Sequence, residues 1–184
     1  PDLISRTRHE CSLGIYQARG GVLPRRPPLP TVTELRSGDV VNEGDWSVEV
    51  AAVRHFQPYL VSFGFRLTTP GGTFVYSGDS GPSAGMRKLA EDCDVLVHMC
   101  HYMSGTQLNE GFAESCMGHM ELAALARDAR VRNLVASHIT EQFDKPGARE
   151  RVIAEMASVY KGNIFFGEDL MEIPVKAPVL EKLM

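Results

Sequence analysis

Phe74-Val75-Tyr76-Ser77-Gly78-Asp79-Ser80-Gly81-Pro82 is the stretch on which the reading of this chain turns, because a run of strand-formers stops at an aspartate flanked by glycines. A carboxylate held on a glycine turn at the tip of a buried strand is costly to desolvate, so it takes a partner: a metal, a donor cluster or a cation. Two histidines stand in similar settings. His55 follows the strand-like run Trp46 to Arg54, and His138 ends the run Arg132 to Ser137. Each also has a plainer reading, as a turn aspartate accepting backbone N–H groups or as a strand-end histidine bonded to a carbonyl.

Working outward, Trp46, Val48 and Val50 alternate with Ser47 and Glu49 as a half-buried strand requires. A second strand at about 60–68, the turn Thr69-Pro70-Gly71-Gly72 and a short strand from Thr73 to Ser77 predict a hairpin. Beyond Asp79 the order becomes helix, strand, helix, strand, which predicts parallel strands joined by crossover helices. Pro82-Ser83 opens the first helix and Val95 to Val97 forms the next strand. A helix from His119 to about Arg130 sets Leu122, Leu125, Ala126 and Ala129 on one face, and Leu134 to Ala136 follows as a strand. A last helix turns Val152, Ile153, Met156 and Val159 inward, and strands at Ile164 to Phe166 and Leu170 to Ile173 close the sheet. Residues 1–36 show little periodicity and contain Leu23-Pro24-Arg25-Arg26-Pro27-Pro28-Leu29-Pro30, so they read as a linker or lid-like insertion before a domain spanning 37–184.

With 184 residues and 43% hydrophobic content the chain can build a sizeable core. The net charge of -4 argues against a polyanion partner, although 1–36 carries six arginines against three acids. Four cysteines without a Cys-x-x-Cys pair suit a reducing, cytoplasmic setting better than a disulfide framework. No window reaches the roughly 18 apolar residues of a membrane helix, so no membrane role is expected.

The Tyr-Ser-Gly-Asp-Ser turn, Gly64-Phe65-Arg66 downstream of His55, and Ser137-His138-Ile139-Thr140 together resemble the C-terminal half of a metallo-β-lactamase-fold hydrolase, nearest to the ribonuclease Z and arylsulfatase-like branches. The likeness covers 38–174. It implies an α/β fold, the αβ/βα sandwich, and a binuclear zinc hydrolase in which His55 serves one metal, Asp79 bridges two and His138 serves the second. Zinc accepts imidazole and carboxylate donors and lowers the pKa of a bound water to about 7. His119, opening its helix, is similar to the histidine that ribonuclease Z enzymes use to assist leaving-group departure, and a plain helix-start residue is the alternative.

The chain departs from the family pattern in three places. No His-x-His-x-Asp-His run occurs among its six histidines, and it opens on Pro1, so the expectation is the C-terminal portion of a longer domain. Such a half-domain leaves one sheet face bare and should pair with an N-terminal segment or another copy, as a homo-oligomer such as a dimer. Where ribonuclease Z enzymes have His-Glu-Ala-Thr, this chain has His98-Met99-Cys100-His101, and His98 and His101 read as strand-end and loop residues without an assigned role. Only Leu67 to Ser77 fills the interval that holds the tRNA-gripping arm. The expected reaction is therefore metal-assisted hydrolysis of an ester-type bond in a small molecule, with an RNA phosphodiesterase or a noncatalytic scaffold as alternatives. Cys100 and Cys116 read as bystanders, and 104–116 as a mobile loop over the site.

Overall fold

The computed structural model describes residues 9–26 and 31–175 and divides the chain into two compact units, Pro1–Glu34 and Leu35–Met184. In the first, helix α1 (Glu10–Ala18) starts at His9, whose ring accepts the Cys11 N–H. Arg25 donates to Ser12 Oγ at 2.7 Å and lies over the Tyr16 ring at 5.0 Å. The linker reading of 1–36 missed this helix for a physical reason: none of its residues is buried, so no apolar stripe marks it. The proline-rich residues 27–30 lie outside the described residues.

The second unit is one seven-stranded sheet in sequential order: β1 (Val40–Glu43), β2 (Trp46–Val53), β3 (Ser62–Thr69), β4 (Gly72–Tyr76), β5 (Val95–Met99), β6 (Asn133–Ser137) and β7 (Asn163–Phe166). β1 to β4 run antiparallel and β4 to β7 parallel. The expected β3–β4 hairpin is present and tight, with Thr69 Oγ1 accepting the Gly71 N–H. No arm is inserted there. β1, which has no alternation of its own, is held by pairing with β2.

Helix α2 (Ala84–Ala90) begins where Ser83 Oγ accepts the Met86 N–H. Its other end explains the Gly64-Phe65-Arg66 triplet. Arg66 donates to the carbonyls of Leu89 and Glu91 at 2.6 and 2.7 Å, satisfying acceptors that a helix C-terminus leaves open. Gly64 lets the helix approach, since a Cβ there would lie 3.1 Å from Val53 and 3.2 Å from Leu89. After β5 come α3 (Glu110–Ser115) and α4 (His119–Asp128), and after β6 a 3₁₀ turn (Glu141–Asp144) and α5 (Ala148–Val159).

Successive right-handed crossovers stepping one way across a sheet put their helices on one face. Burial agrees: Val75, Leu96, His98, Leu134 and Ala136 face the helices and are sealed. On α4 the expected residues Leu122, Leu125 and Ala126 are all buried, as is Ala129 at its C-cap. On α5 Val152 and Met156 are buried, but Ile153 is 38% exposed, because a stripe through 152, 156 and 159 leaves 153 about 100° away. Leu170 to Ile173 is not a strand. Leu170 takes φ 63 in a turn where the Met171 N–H bonds Glu168 O, and the chain then runs along the other sheet face beside Phe74, Val95, Val97 and Val135. That face stays partly open toward Tyr76 and Trp46.

Several buried residues are polar, and among them His98 lacks a partner at one ring nitrogen. His98 is fully buried, its Nδ1 2.9 Å from Met99 O and its Nε2 without a partner. Burial pushes its pKa down from 6.5 to about 4, against the opposing effect of the Met99 carbonyl. The unfolded chain therefore binds this proton below about pH 6.5 while the folded chain resists it to about pH 4, so stability falls as pH drops through that window. Denaturant unfolding should show a loss of about 2–3 kcal/mol between pH 7 and pH 4.5 from this residue alone. The loss should be absent in His98→Met; an unchanged pH dependence in that variant would exclude His98 as its source.

Candidate metal centre

Three strand ends meet at the carboxyl edge of the parallel strands, where open α/β sheets build their sites. Past β4, Ser77 continues the ladder by donating its N–H to Val97 O and accepting from Met99 N–H through its hydroxyl. Gly78 then turns at φ 56 and carries Asp79 out of the sheet. The turn is clamped on both sides: Gly81 N–H donates to Arg54 O at 2.8 Å, and a Cβ on Gly81 would lie 2.1 Å from Glu114 O. Arg54 and Glu114 are themselves ion-paired.

His55, just past β2, and His138, just past β6, approach Asp79 from opposite sides. His55 Nε2 is 3.9 Å from Asp79 Oδ2, and His138 Nε2 is 3.8 Å from Asp79 Oδ1. These distances are too long for hydrogen bonds, and each nitrogen faces a different oxygen. The His55 ring is fixed by its other nitrogen, since Nδ1 lies 2.7 Å from the Ser115 carbonyl, which can only accept. Nδ1 therefore carries the proton and Nε2 presents its lone pair toward Asp79, as a metal-ligating histidine does. His138 sits at φ 49, a left-handed conformation unusual outside glycine and concentrated at functional positions.

Two ligands of one tetrahedral ion, each about 2.1 Å from it, lie roughly 3.4 Å apart. The two His–Asp79 separations are slightly wider. The donors fit as two nitrogen–oxygen pairs sharing one carboxylate, which is two protein ligands per ion where a catalytic zinc takes three. Accordingly, no group of three or more His, Cys, Asp or Glu that could hold a metal ion occurs among the described residues.

A chain of ring contacts also links the two histidines. Phe56 lies 4.7 Å from His55, Phe112 6.1 Å from Phe56, His101 5.5 Å from Phe112, and His138 4.9 Å from His101. His101 is half-buried, and its Nδ1 is sealed from solvent without a partner. The segment expected to be a loop over the site carries α3, which supplies both Phe112 and the Ser115 groups that hold His55 and the Phe56 N–H. Sequence reading missed Ser115 because its contribution to His55 is a main-chain carbonyl, for which side-chain identity gives no signal. Phe56 and Phe112 lie far apart in the chain and meet only through the fold.

His119 opens α4, as expected, but its ring is 2% exposed and engaged at both nitrogens. Nδ1 accepts the Ser104 N–H at 2.9 Å, so Nε2 is the protonated nitrogen, and it donates to Glu155 Oε2 at 2.7 Å. It thus ties α4 to α5 and to the chain after β5, and makes no hydrogen bond or ring contact with His55, Asp79 or His138. Cys100 and Cys116 are buried, which pushes their thiols up to about 12 and about 11 and leaves them protonated and poorly nucleophilic at neutral pH.

The domain profile described as "Beta-lactamase superfamily domain" matches residues 8–139, more than half of the chain. The chain belongs to the metallo-β-lactamase superfamily. Its match to a ribonuclease Z from Methanosarcina acetivorans is 30% identical over 150 residues, 81% of this chain and 44% of the relative. A ribonuclease Z from Mycolicibacterium paratuberculosis is 31% identical over 157 residues, 83% of this chain and 55% of that protein. The chain thus spans about half the length of these metallo-β-lactamase relatives. In fold it is similar to the metallo-beta-lactamase fold protein YhfI from Bacillus subtilis, with TM-score 0.64 and 17% identity over 87% of this chain and 60% of that one.

Because His119 bonds at both nitrogens, His119→Ala should lower stability by about 1–3 kcal/mol, the range for stranding buried hydrogen-bond partners. Denaturant titration measures this directly. An unchanged midpoint accompanied by lost turnover would return His119 to the leaving-group role.

Proposed function

We propose that this chain supplies one side of a binuclear zinc centre in a hydrolase that cleaves a phosphodiester. The observation that carries this reading is the pair of imidazole Nε2 atoms facing separate oxygens of Asp79. A carboxylate has two oxygens, so it can join two ions while each keeps its own histidine. The remaining donors come from outside these residues, because each pair is one ligand short of a catalytic zinc set. When bound, such ions polarise a phosphoryl oxygen and bring a water into the neutral titration range.

The chain's own residues then have distinct tasks. The Ser115 carbonyl keeps the proton on His55 Nδ1, so Nε2 stays available as a donor. The clamped Gly78 to Gly81 turn holds Asp79 between the two rings. A leaving-group proton from His119 requires Glu155, 45% exposed, to release Nε2.

Both curated relatives bear the name ribonuclease Z, which favours a phosphodiester in RNA over the small-molecule ester favoured by charge alone. The short β3–β4 hairpin supports the second reading, a small-molecule ester, since it offers no arm to hold a large substrate. Four free cysteines support a cytoplasmic setting, and the partly open sheet face supports association with a further segment or a second copy. Among the described residues no helix is long and apolar enough to cross a membrane.

Metal analysis of the purified full-length protein tests the assignment. Asp79→Ala should lose more than the 10- to 100-fold in zinc affinity typical of outer-shell changes, and phosphodiesterase activity on bis(p-nitrophenyl) phosphate should fall with it. A folded Asp79→Ala protein that retained its full zinc complement would refute the bridging role.

A further inference from the structure

The rings of Phe56, Phe112 and His101 have been given no task in holding a metal, yet they run in an arc between His55 and His138, the two histidines that face Asp79. Its phenyl members are incompletely buried: Phe56 is 38% exposed and Phe112 is half-buried against the core. An exposed aromatic gains little from the hydrophobic effect. Phe56 is also held at φ 51, a left-handed conformation that is costly for a bulky side chain. Two bonds maintain it, from the Phe56 N–H to Ser115 Oγ at 3.0 Å and from the Tyr59 N–H to the Phe56 carbonyl. Strain kept beside a functional centre, at a ring left 38% exposed, points to a ligand.

The chemistry of the wall narrows that ligand. The nearby cation, Arg54, is already paired with Glu114, and the ring faces are π-rich, so a further anionic group gains nothing from them. A planar unsaturated ring gains by stacking or edge contact. The site beside it is suited to a phosphoryl group, and a phosphodiester that carries planar rings on both flanks is a nucleic acid strand. We propose that Phe56 and Phe112 form a stacking wall for a nucleobase flanking the scissile phosphate, with His101 as the spacer that holds Phe112 against His138. The inference rests on the phosphodiesterase reading and deepens it. Stacking of this kind tolerates any base, because every base has a π-face.

Direct binding separates the wall from the metal centre. Adenosine 5′-monophosphate, ribose 5-phosphate and phenyl phosphate are titrated calorimetrically into the full-length protein and into Phe112→Leu, Phe56→Asn and Asp79→Ala. The nucleotide should bind about 5- to 100-fold more tightly than ribose 5-phosphate, and both Phe variants should erase that difference while leaving ribose 5-phosphate unchanged. Because asparagine tolerates the left-handed conformation, Phe56→Asn should also unfold at the same or a higher temperature, which a residue kept for packing would not do. Equal affinities for the nucleotide and ribose 5-phosphate would overturn the wall and leave the hydrolase intact. Phenyl phosphate binding more tightly than the nucleotide would overturn the nucleobase in favour of an aryl ester. Failure of the underlying function is visible elsewhere, as ribose 5-phosphate affinity indifferent to Asp79→Ala.

Discussion

Asp79 is a carboxylate lifted out of a sheet into the gap between two imidazoles, and most of the structure around it works to keep it there. A charged group at a strand end is stable only where solvent or a partner compensates it. Here its side chain is half-exposed, and the two nitrogens stand just beyond hydrogen-bond range on either side. Had either His donated directly to Asp79, the group would close into a structural ion pair. The backbone prevents that collapse: the turn is gripped by Arg54 O on one side and abuts Glu114 O on the other, and His55 is committed to Ser115 through its other nitrogen.

The sheet makes this placement possible. Four strands carried forward by one-handed crossovers put the ends of β4, β5 and β6 at one edge, and the antiparallel β2 delivers His55 to the same edge from the other half of the sheet. Arg66 and Gly64 serve this frame and not the chemistry. One closes the end of α2 and the other admits it against β2, so a motif that resembles a functional signature is explained by helix packing. α3 then reaches across from β5 to β2, which ties the oriented histidine to the segment that carries Phe112.

His119 illustrates how position along the chain and placement in space differ. Its location at the start of α4 is that of a histidine facing an anionic group, and the helix does begin there. Its ring, however, turns inward to the Ser104 N–H and Glu155, because a buried imidazole without partners would cost more than one that joins two helices. His98 shows the opposite outcome, since it is sealed in the core with one nitrogen unpartnered and remains neutral for that reason.

Most of the architecture was legible in the chain. Alternation at Trp46 to Val50, the turn residues at 69–72, the helical spacing of Leu122 to Ala129 and the glycines around Asp79 are local patterns, and each reflects a rule that acts over a few residues. The placement of His55, Asp79 and His138 at strand ends along one edge was legible too, because strand ends in a crossover sheet are known places. What local pattern could not supply was anything that depends on residues distant in sequence: α1, which buries no stripe; the loss of a strand at Leu170, where a left-handed turn redirects the chain; and the outward placement of Ile153. The tautomer of His55, the inward ring of His119 and the aromatic arc all depend on contacts across tens of residues. Only the folded chain decides these, because a hydrogen-bond acceptor or a ring face has no meaning until packing brings it within a few ångströms.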